Sequence, residues 1–259
     1  MSKLRILVTG DKHLGLVSDG MPRLAEQQRI LDHTLALLRK HDPDIYVDLG
    51  DLFDAPRPTP DAYEVALAYS SAVESWSQFR DVAPHVAFLV GNHDKPTRGE
   101  AHALVPLAFL EHDASRPGIN PFAPVVDIPS VAYLEDAKAT LLYLPFVTEW
   151  EAKEHGWASA QAWLDEVASH SLQVGQKVVA FTHLEVPGAT INTDDTRQRD
   201  VGLHIPTCLL ELEQVVRIFA GHVHRYQELE RVTVVGSALH VDFGEASDPK
   251  GIIYAEVEL

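Results

Sequence analysis

Eight short apolar runs, most rich in β-branched residues, recur along the chain: LRILVT, DIYVDLG, HVAFLVG, ATLLYLPF, QKVVAFT, VVRIFAG, VTVVGS and GIIYAEVEL. Most are bounded by Gly, Pro or Asp, and their length and composition predict sheet strands. Between the first pairs the period changes to a helical one. Residues 23–41 carry Leu24, Ile30, Leu31, Leu35 and Leu38 at near-helical spacing, and residues 61–82 open on Asp61, a side chain suited to an N-cap. Trp150, Trp157, Ala160, Trp163, Leu164 and Val167 predict a third helical stretch over 149–172 with a packing face. The first half therefore runs βαβα and the second half is richer in strands, which predicts a single α/β domain of layered or sandwiched sheets. The segments DAPRPTP and SRPGINPFAPVVDIP are expected to be ordered proline-rich loops, and no tandem repeat or low-complexity tract interrupts the pattern.

Polar residues interrupt this pattern at one recurring place. Five of the apolar runs end directly in side chains able to bind metal: Asp11 and His13, Asp51, Asn92 and His93, His183, and His222 and His224. Ligand crevices in α/β sheets form at strand C-terminal ends, so residues distant in sequence can converge there. Each stretch has a bland reading when taken singly. GDKH can be a turn cap, GDLFD a strand-to-helix turn with Asp54 as an N-cap, and His183 a satisfied core histidine. Three adjacent polar side chains in GNHD after a buried strand are costly unless partnered, and the two histidines of GHVH share one side of an extended segment. Five coincidences together favour a common site. The donors are carboxylate, amide oxygen and imidazole without thiolate, a set that suits manganese, iron or zinc in a reactive centre. They are too many for one ion and suit two, sharing a bridging carboxylate at the roughly 3.5–4 Å separation of two-metal hydrolases.

Charge narrows the substrate question. The 259 residues include 38 acidic and 21 basic side chains, a formal net charge of −17, which excludes a diffuse nucleic-acid-coating role. A polyanionic substrate has to meet a local site compensated by bound cations. The single cysteine, Cys208, excludes an internal disulfide framework and is expected to be buried, in an intracellular, cytoplasmic protein. The N-terminal apolar run is too short for a signal peptide, and no run approaches the roughly 18 apolar residues of a membrane span, so a soluble protein without membrane association is expected.

In order along the chain, Asp11-Lys12-His13, Gly50 to Asp54, Gly91 to Asp94, His183 and Gly221 to His224 resemble the DxH, GDxxD, GNHD, lone-His and GHxH signature of the calcineurin-like metallophosphoesterases. DKHLG, GDLFD, the LPF before the lone-histidine strand and the closing GSALHVDFGEASDPKG are further similar to the SbcD-type nuclease branch, over about Leu4 to Gly251. The resemblance implies a metallophosphoesterase-type layered β-sandwich flanked by helices. It implies that Asp11, His13, Asp51 and His224 hold one divalent metal and that Asp51, Asn92, His183 and His222 hold the other, with Asp51 bridging. Manganese is the expected ion, with magnesium, iron and zinc as alternatives. His93 is then the catalytic residue, beside Asp51, that contacts the phosphate or protonates the leaving sugar oxygen, a role suited to imidazole.

The implied activity is a DNA exonuclease with single-strand endonuclease capacity, serving repair, recombination or replication-associated processing. The implied partners are DNA, an SbcC-type ATPase subunit and a second copy of the chain. Two features depart from the family pattern: Lys12 inside DxH, and a chain that stops soon after FGE…KG, so that the C-terminal capping and ATPase-binding regions are expected to be shortened or absent. Lys95, Arg98, Arg57, Arg197 and Arg199 are candidate phosphate contacts, since a groove that tracks a backbone needs cations, although for each alone solvated surface charge is the favoured reading. Asp94 is expected either to hold a neighbouring histidine or to cap its turn, and Tyr226 to pack or to stack a base. His33, His41, His112 and His155 are expected on the surface or on helices. Two other functions compete: a small-molecule phosphodiesterase or phosphatase using the same metal core, and a non-catalytic scaffold with a structural metal site.

Overall fold

A computed structural model describes residues 3–18, 20–55, 63–96, 101–109, 125–135, 137–172, 176–190 and 202–259. One five-stranded sheet has the order β13 (Ile253–Glu258), β1 (Lys3–Thr9), β4 (Ile45–Asp48), β5 (His85–Leu89), β6 (Val125–Val126). A six-stranded sheet has the order β11 (Gln227–Leu229), β12 (Val232–Val234), β10 (Val215–Ala220), β9 (Lys177–Thr182), β8 (Ala139–Leu144), β7 (Ser130–Leu134). β1, β4, β5 and β6 are mutually parallel, as are β8, β9, β10 and β12, while β13, β7 and β11 run antiparallel at the edges.

The apolar runs are continuous because the central strands are buried on both faces. Alternate residues Leu4, Ile6 and Val8 of β1 and Ile45 and Val47 of β4 meet Leu141, Tyr143, Val179, Phe181 and Phe219 of the other sheet in one shared layer. The intervening residues face outward. Leu7, Tyr46, Val86 and Phe88 pack under α1 (Leu24–His41) and α2 (Tyr63–Val82) through Leu31, Leu38, Trp76 and Phe79. Val178, Ala180 and Ile218 pack under α5 (Ala160–Leu172) and α6 (Thr207–Glu211) through Trp163, Leu164 and Leu209. The order of layers is helix, sheet, sheet, helix, the layered sandwich expected from the sequence.

The third helical stretch is broken where one helix was expected. Thr148 and Glu151 form a reciprocal capping box that starts α4 (Glu149–Glu154), and Gly156, at φ 83°, turns the chain before α5 begins. Elements too short to show a period were not anticipated: the hairpin β2 (Val17–Ser18) and β3 (Met21–Pro22), α3 (Val105–Phe109), β7 and β11. Cys208 lies half-buried on α6 rather than fully inside. Asp61 and most of the two proline-rich segments fall outside the described residues; Val125 and Val126, at the end of the second, form β6. His33 and His155 are exposed and His41 stacks on Tyr254, while His112 also falls outside the described residues.

Phe181 tests the shared layer. Its ring is fully buried between Tyr143 and Phe219, with centroids 5.5 and 5.7 Å away. Phe181→Ala is expected to cost about 3–5 kcal/mol of unfolding free energy in a urea titration. A loss below about 1 kcal/mol would show that the two sheets do not share this core.

Candidate metal centre

The parallel strands deliver the polar motifs to one end of the sandwich. Leaving β1 and β4, the chain turns sharply: Asp11, His13 and Asp51 sit at φ 50°, 45° and 50°, and His222 after β10 at 75°. Non-glycine residues held there cost on the order of 1–3 kcal/mol each and persist where surrounding structure over-determines them. The surroundings here are other backbone groups. Asp11 N–H donates to Gly50 O (2.9 Å), His13 N–H to Asp51 O (3.0 Å) and Leu14 N–H to Leu52 O (2.8 Å), which zips the first two turns together. Gly91 admits the carboxylate between them, since a Cβ at that position would stand 2.1 Å from Asp51 Oδ1.

Two buried groups of donors result: Asp11, His13 and His224, and Asp51, His183 and His222, with the ligand atoms of each group within 4.8 Å of one another. Asn92 joins the second group, its Oδ1 lying 3.0 Å from His183 Nε2 and 2.9 Å from His222 Nδ1. Asp51 links the two. Its Oδ2 is 3.3 Å from His183 Nε2 and 4.0 Å from His13 Nε2, while Oδ1 accepts a hydrogen bond from His93 N–H at 2.8 Å. A third group, His13, Asp54 and His93, lies at the half-buried rim. His93 Nδ1 donates to Asp54 O at 3.0 Å, leaving Nε2 as the atom that can exchange a proton.

The ring contacts bear on whether cations fit. His183 Nδ1 donates to Leu49 O (2.8 Å) and His224 Nδ1 to Glu245 Oε1 (2.7 Å), so each ring directs its Nε2 into the site. His224 Nε2 lies 3.2 Å from His13 Nε2, and His183 Nε2 lies 3.0 Å from the Asn92 amide oxygen. Ring nitrogens and oxygens buried this close together, beside the carboxylates of Asp11 and Asp51, call for positive charge among them, carried by protons or by cations. Burial opposes charge on His183, yet Asp51 and then Asp11 push its pKa up to about 9. Burial likewise opposes a proton on His224, but Glu245 and Asp11 raise its pKa. His222 is driven the other way, down to about 3, by burial and then by His183. Asp51 is held well below the usual carboxylate range, because His183 and its neighbours outweigh the burial that would raise it. The oxygen and imidazole donors therefore fit divalent cations, in the two groups named above.

Supporting contacts extend the site beyond the expected residues. Glu245, on a 3-10 turn (Phe243–Glu245), is buried and also pairs through Oε2 with Lys250 Nζ (2.7 Å) and accepts from Val241 N–H (3.0 Å). Burial would raise its pKa, but His224 and Lys250 push it down to about 2, so it stays ionised. Its only sequence signal is the closing FGE…KG segment. Lys12 is fully buried and pairs with buried Asp48, with Thr9 Oγ1 and Tyr46 Oη beside its ammonium; Asp48 also accepts from Gly50 N–H. The pair joins the DKH and GDLFD turns from beneath. Asp94 ties its turn instead of holding a histidine, accepting from the backbone N–H groups of Leu52, Phe53 and Gly91. Burial and then Asp51 push its pKa up to about 8. Asp54 Oδ1 stands 3.2 Å from His13 Nδ1, off hydrogen-bond geometry.

Lys95 departs from its expected role. Its buried ammonium bonds Glu151 (2.9 Å) and Asp127 O (2.8 Å), so its charge is spent on α4 and is not offered to a phosphate. Arg57, Arg98, Arg197 and Arg199 fall outside the described residues. Tyr226 is partly exposed, with its hydroxyl donating to Glu228.

The profile of the calcineurin-like phosphoesterase family matches residues 4–226. The chain is 26% identical to an SbcCD nuclease subunit of the SbcD type from Bacillus subtilis, over 98% of this chain and 66% of that protein. It has the same identity and coverage with the corresponding protein of Staphylococcus saprophyticus. It thus spans slightly under two thirds of the length of these relatives. Among solved structures, a dimetal phosphatase from Danio rerio aligns with a TM-score of 0.55 at 14% identity, covering 89% of this chain and 85% of that one. The protein TT1561 of Thermus thermophilus aligns at 0.50 and 12%, covering 91% and 90%. Among the described residues no helix is long and apolar enough to cross a membrane.

Two supporting contacts can be tested separately. Glu245→Gln weakens the restraint on His224 and is expected to lower divalent-cation affinity about 10- to 100-fold in titration calorimetry; unchanged affinity would remove Glu245 from the site's support. Lys12→Met leaves Asp48 buried without its counter-charge and is expected to lose about 3–5 kcal/mol of stability, most of it regained in Lys12→Met/Asp48→Leu. A double variant no more stable than the single one would refute the ion-pair account.

Proposed function

The chain belongs to the calcineurin-like phosphoesterase family, a family of metal-dependent phosphoester hydrolases, and on that premise we propose that it is a two-metal DNA nuclease. The observation that carries the chemistry is the meeting of two buried donor groups across Asp51, with His93 at the rim beside them. The substrate class rests on the similarity to the SbcCD nuclease subunits along 98% of the chain.

In this reading Asp11, His13, Asp51 and His224 hold one cation and Asp51, Asn92, His183 and His222 the other, with manganese the expected ion. Bound there, the pair supplies Lewis acidity to the phosphoryl oxygens and lowers the pKa of water. The chain's own groups do the rest. Leu49 O and Glu245 fix the rings of His183 and His224, so little reorganisation accompanies the reaction. His93, oriented by Asp54 O, presents Nε2 to the phosphate and delivers a proton to the leaving sugar oxygen. The cell context that accompanies this reading is DNA repair or recombination, with an ATPase of the SbcC type and a second copy of the chain as partners.

One observation favours a small-molecule phosphodiester or phosphomonoester instead: the net charge of −17, with Lys95 already paired internally. End-labelled single- and double-stranded DNA, a cyclic nucleotide and a phosphate monoester, each with manganese, magnesium or chelator, discriminate the two readings. The nuclease reading expects manganese-dependent DNA cleavage that falls about 10²- to 10⁴-fold in His93→Ala at unchanged metal content. Asp51→Asn is expected to lose both turnover and bound metal. Turnover of the small esters without DNA cleavage would overturn the DNA assignment, and full activity in His93→Ala would remove that residue from the chemistry.

A further inference from the structure

Beside the metal centre lies a cavity of about 330 Å³, lined by Ser18 and Arg23 on one side and by His240, Asp242 and Phe243 on the other. That volume lies within the range of small-molecule sites. Both walls are continuations of the candidate ligand turns. The first is the β2–β3 hairpin that follows Asp11 and His13, joined to them by Leu16 N–H donating to His13 O at 2.9 Å. The second is the segment that ends in Glu245, the residue bonded to His224. Val241 also lines the cavity and packs with Leu16 and Leu239, and Ser18 Oγ donates to Val241 O between the two walls.

Phe243 is the exceptional residue of this wall. It is 81% exposed, the largest exposure among the large apolar residues of the described chain. It is nonetheless held on the short 3-10 turn whose last residue, Glu245, is buried and bonded to His224, Lys250 and Val241 N–H. Two residues of chain limit its Cα to about 7 Å from that of Glu245. An aromatic side chain exposed to water on an anchored turn, two residues before the residue bonded to His224, presents a stacking surface.

We propose that this cavity receives a nucleobase adjoining the scissile phosphate, stacked on Phe243; the assignment rests on the nuclease reading and deepens it. The lining chemistry selects a base over a phosphate. The cation in the wall, Arg23, is already paired with Glu26, and Asp242 repels an anion. His240 Nε2 donates to Asp248 O at 3.2 Å, which leaves Nδ1 as the ring nitrogen available to a ligand. Together with the Asp242 carboxylate it offers acceptors to the exocyclic amine of a cytosine or adenine. Stacking tolerates every base, so the site adds affinity for a polynucleotide over other phosphodiesters with little sequence preference.

The test compares fluorescein-labelled oligodeoxycytidylate with a strand of equal length built from abasic units, by anisotropy in calcium, on the full chain. Wild type is expected to bind the base-bearing strand about 5- to 100-fold more tightly, the worth of one base–aromatic stack. In Phe243→Ala the ratio collapses to near one, and in Phe243→Trp it is kept. Equal affinity for both strands in wild type, or a ratio unchanged in Phe243→Ala, overturns the proposal. So does a Phe243→Ala chain that changes only in sedimentation, because that result gives the face to a second copy. A Phe243-dependent preference in binding without cleavage in manganese would sink the nuclease reading and leave the base site standing; cleavage with no preference for bases does the reverse.

Discussion

The buried carboxylate of Asp51 is the constraint on which the site depends. An ionised carboxylate inside a sandwich is tolerated only among compensating donors and charges. The backbone N–H of His93 donates to it, and His183 and His13 stand close on its other oxygen. Asp51 pushes the His183 pKa up to about 9 against burial, while burial and then His183 push that of its neighbour His222 down to about 3. Charge on one ring satisfies the nearest acid, and burial, with that charge beside it, opposes a second on the adjacent ring. The geometry that brings Asp51 to this point has its own requirements: left-handed backbone at Asp11, His13 and Asp51, and no side chain at Gly91. The layered fold offsets that strain, because turns at the C-terminal ends of strands buried on both faces have little freedom to relax.

Such a junction needs support from beneath as well as from the sides. The Lys12–Asp48 pair sits under the two zipped turns, in the layer of Thr9 and Tyr46 rather than in the site. It is a charge pair of opposite function to the metal centre. Inside the centre unbalanced negative charge is kept for cations to satisfy, whereas below it each charge is neutralised within the protein. A lysine one residue from two candidate ligands therefore adds no competing positive charge to the pocket, since its side chain points to the other face of the turn.

The five strand-end motifs were legible because each couples a local signal, an apolar run ending in glycine and a donor, to a topological rule about where such ends gather. The structure brings Asp11, His13, Asp51, Asn92, His183, His222 and His224 together as that rule implies. The layered α/β architecture was legible for the same reason, since eight strand-length runs and two strong helical periods are local. What escaped is long-range. Nothing near His224 announces that its ring will be held by Glu245, 21 residues later. A lysine after GNHD looks like a phosphate contact until α4 is folded over it and Glu151 takes its charge. Gly156 breaks a helix that the tryptophan spacing joins, because the pattern of apolar residues reports a face and not its continuity.

The nuclease reading requires an acidic protein to separate attraction from recognition. With a net charge of −17, long-range steering works against a nucleic acid, and it is screened beyond about 8 Å at physiological salt. The attraction must then be local, and the histidine and carboxylate groups provide it by collecting cations that reverse the sign of the field at one place. That device serves any phosphoester equally and carries no preference for a polynucleotide. Preference has to come from contacts that charge does not supply. An aromatic surface on the very turn that orients a candidate metal-ligand histidine would place the two functions on one segment of chain.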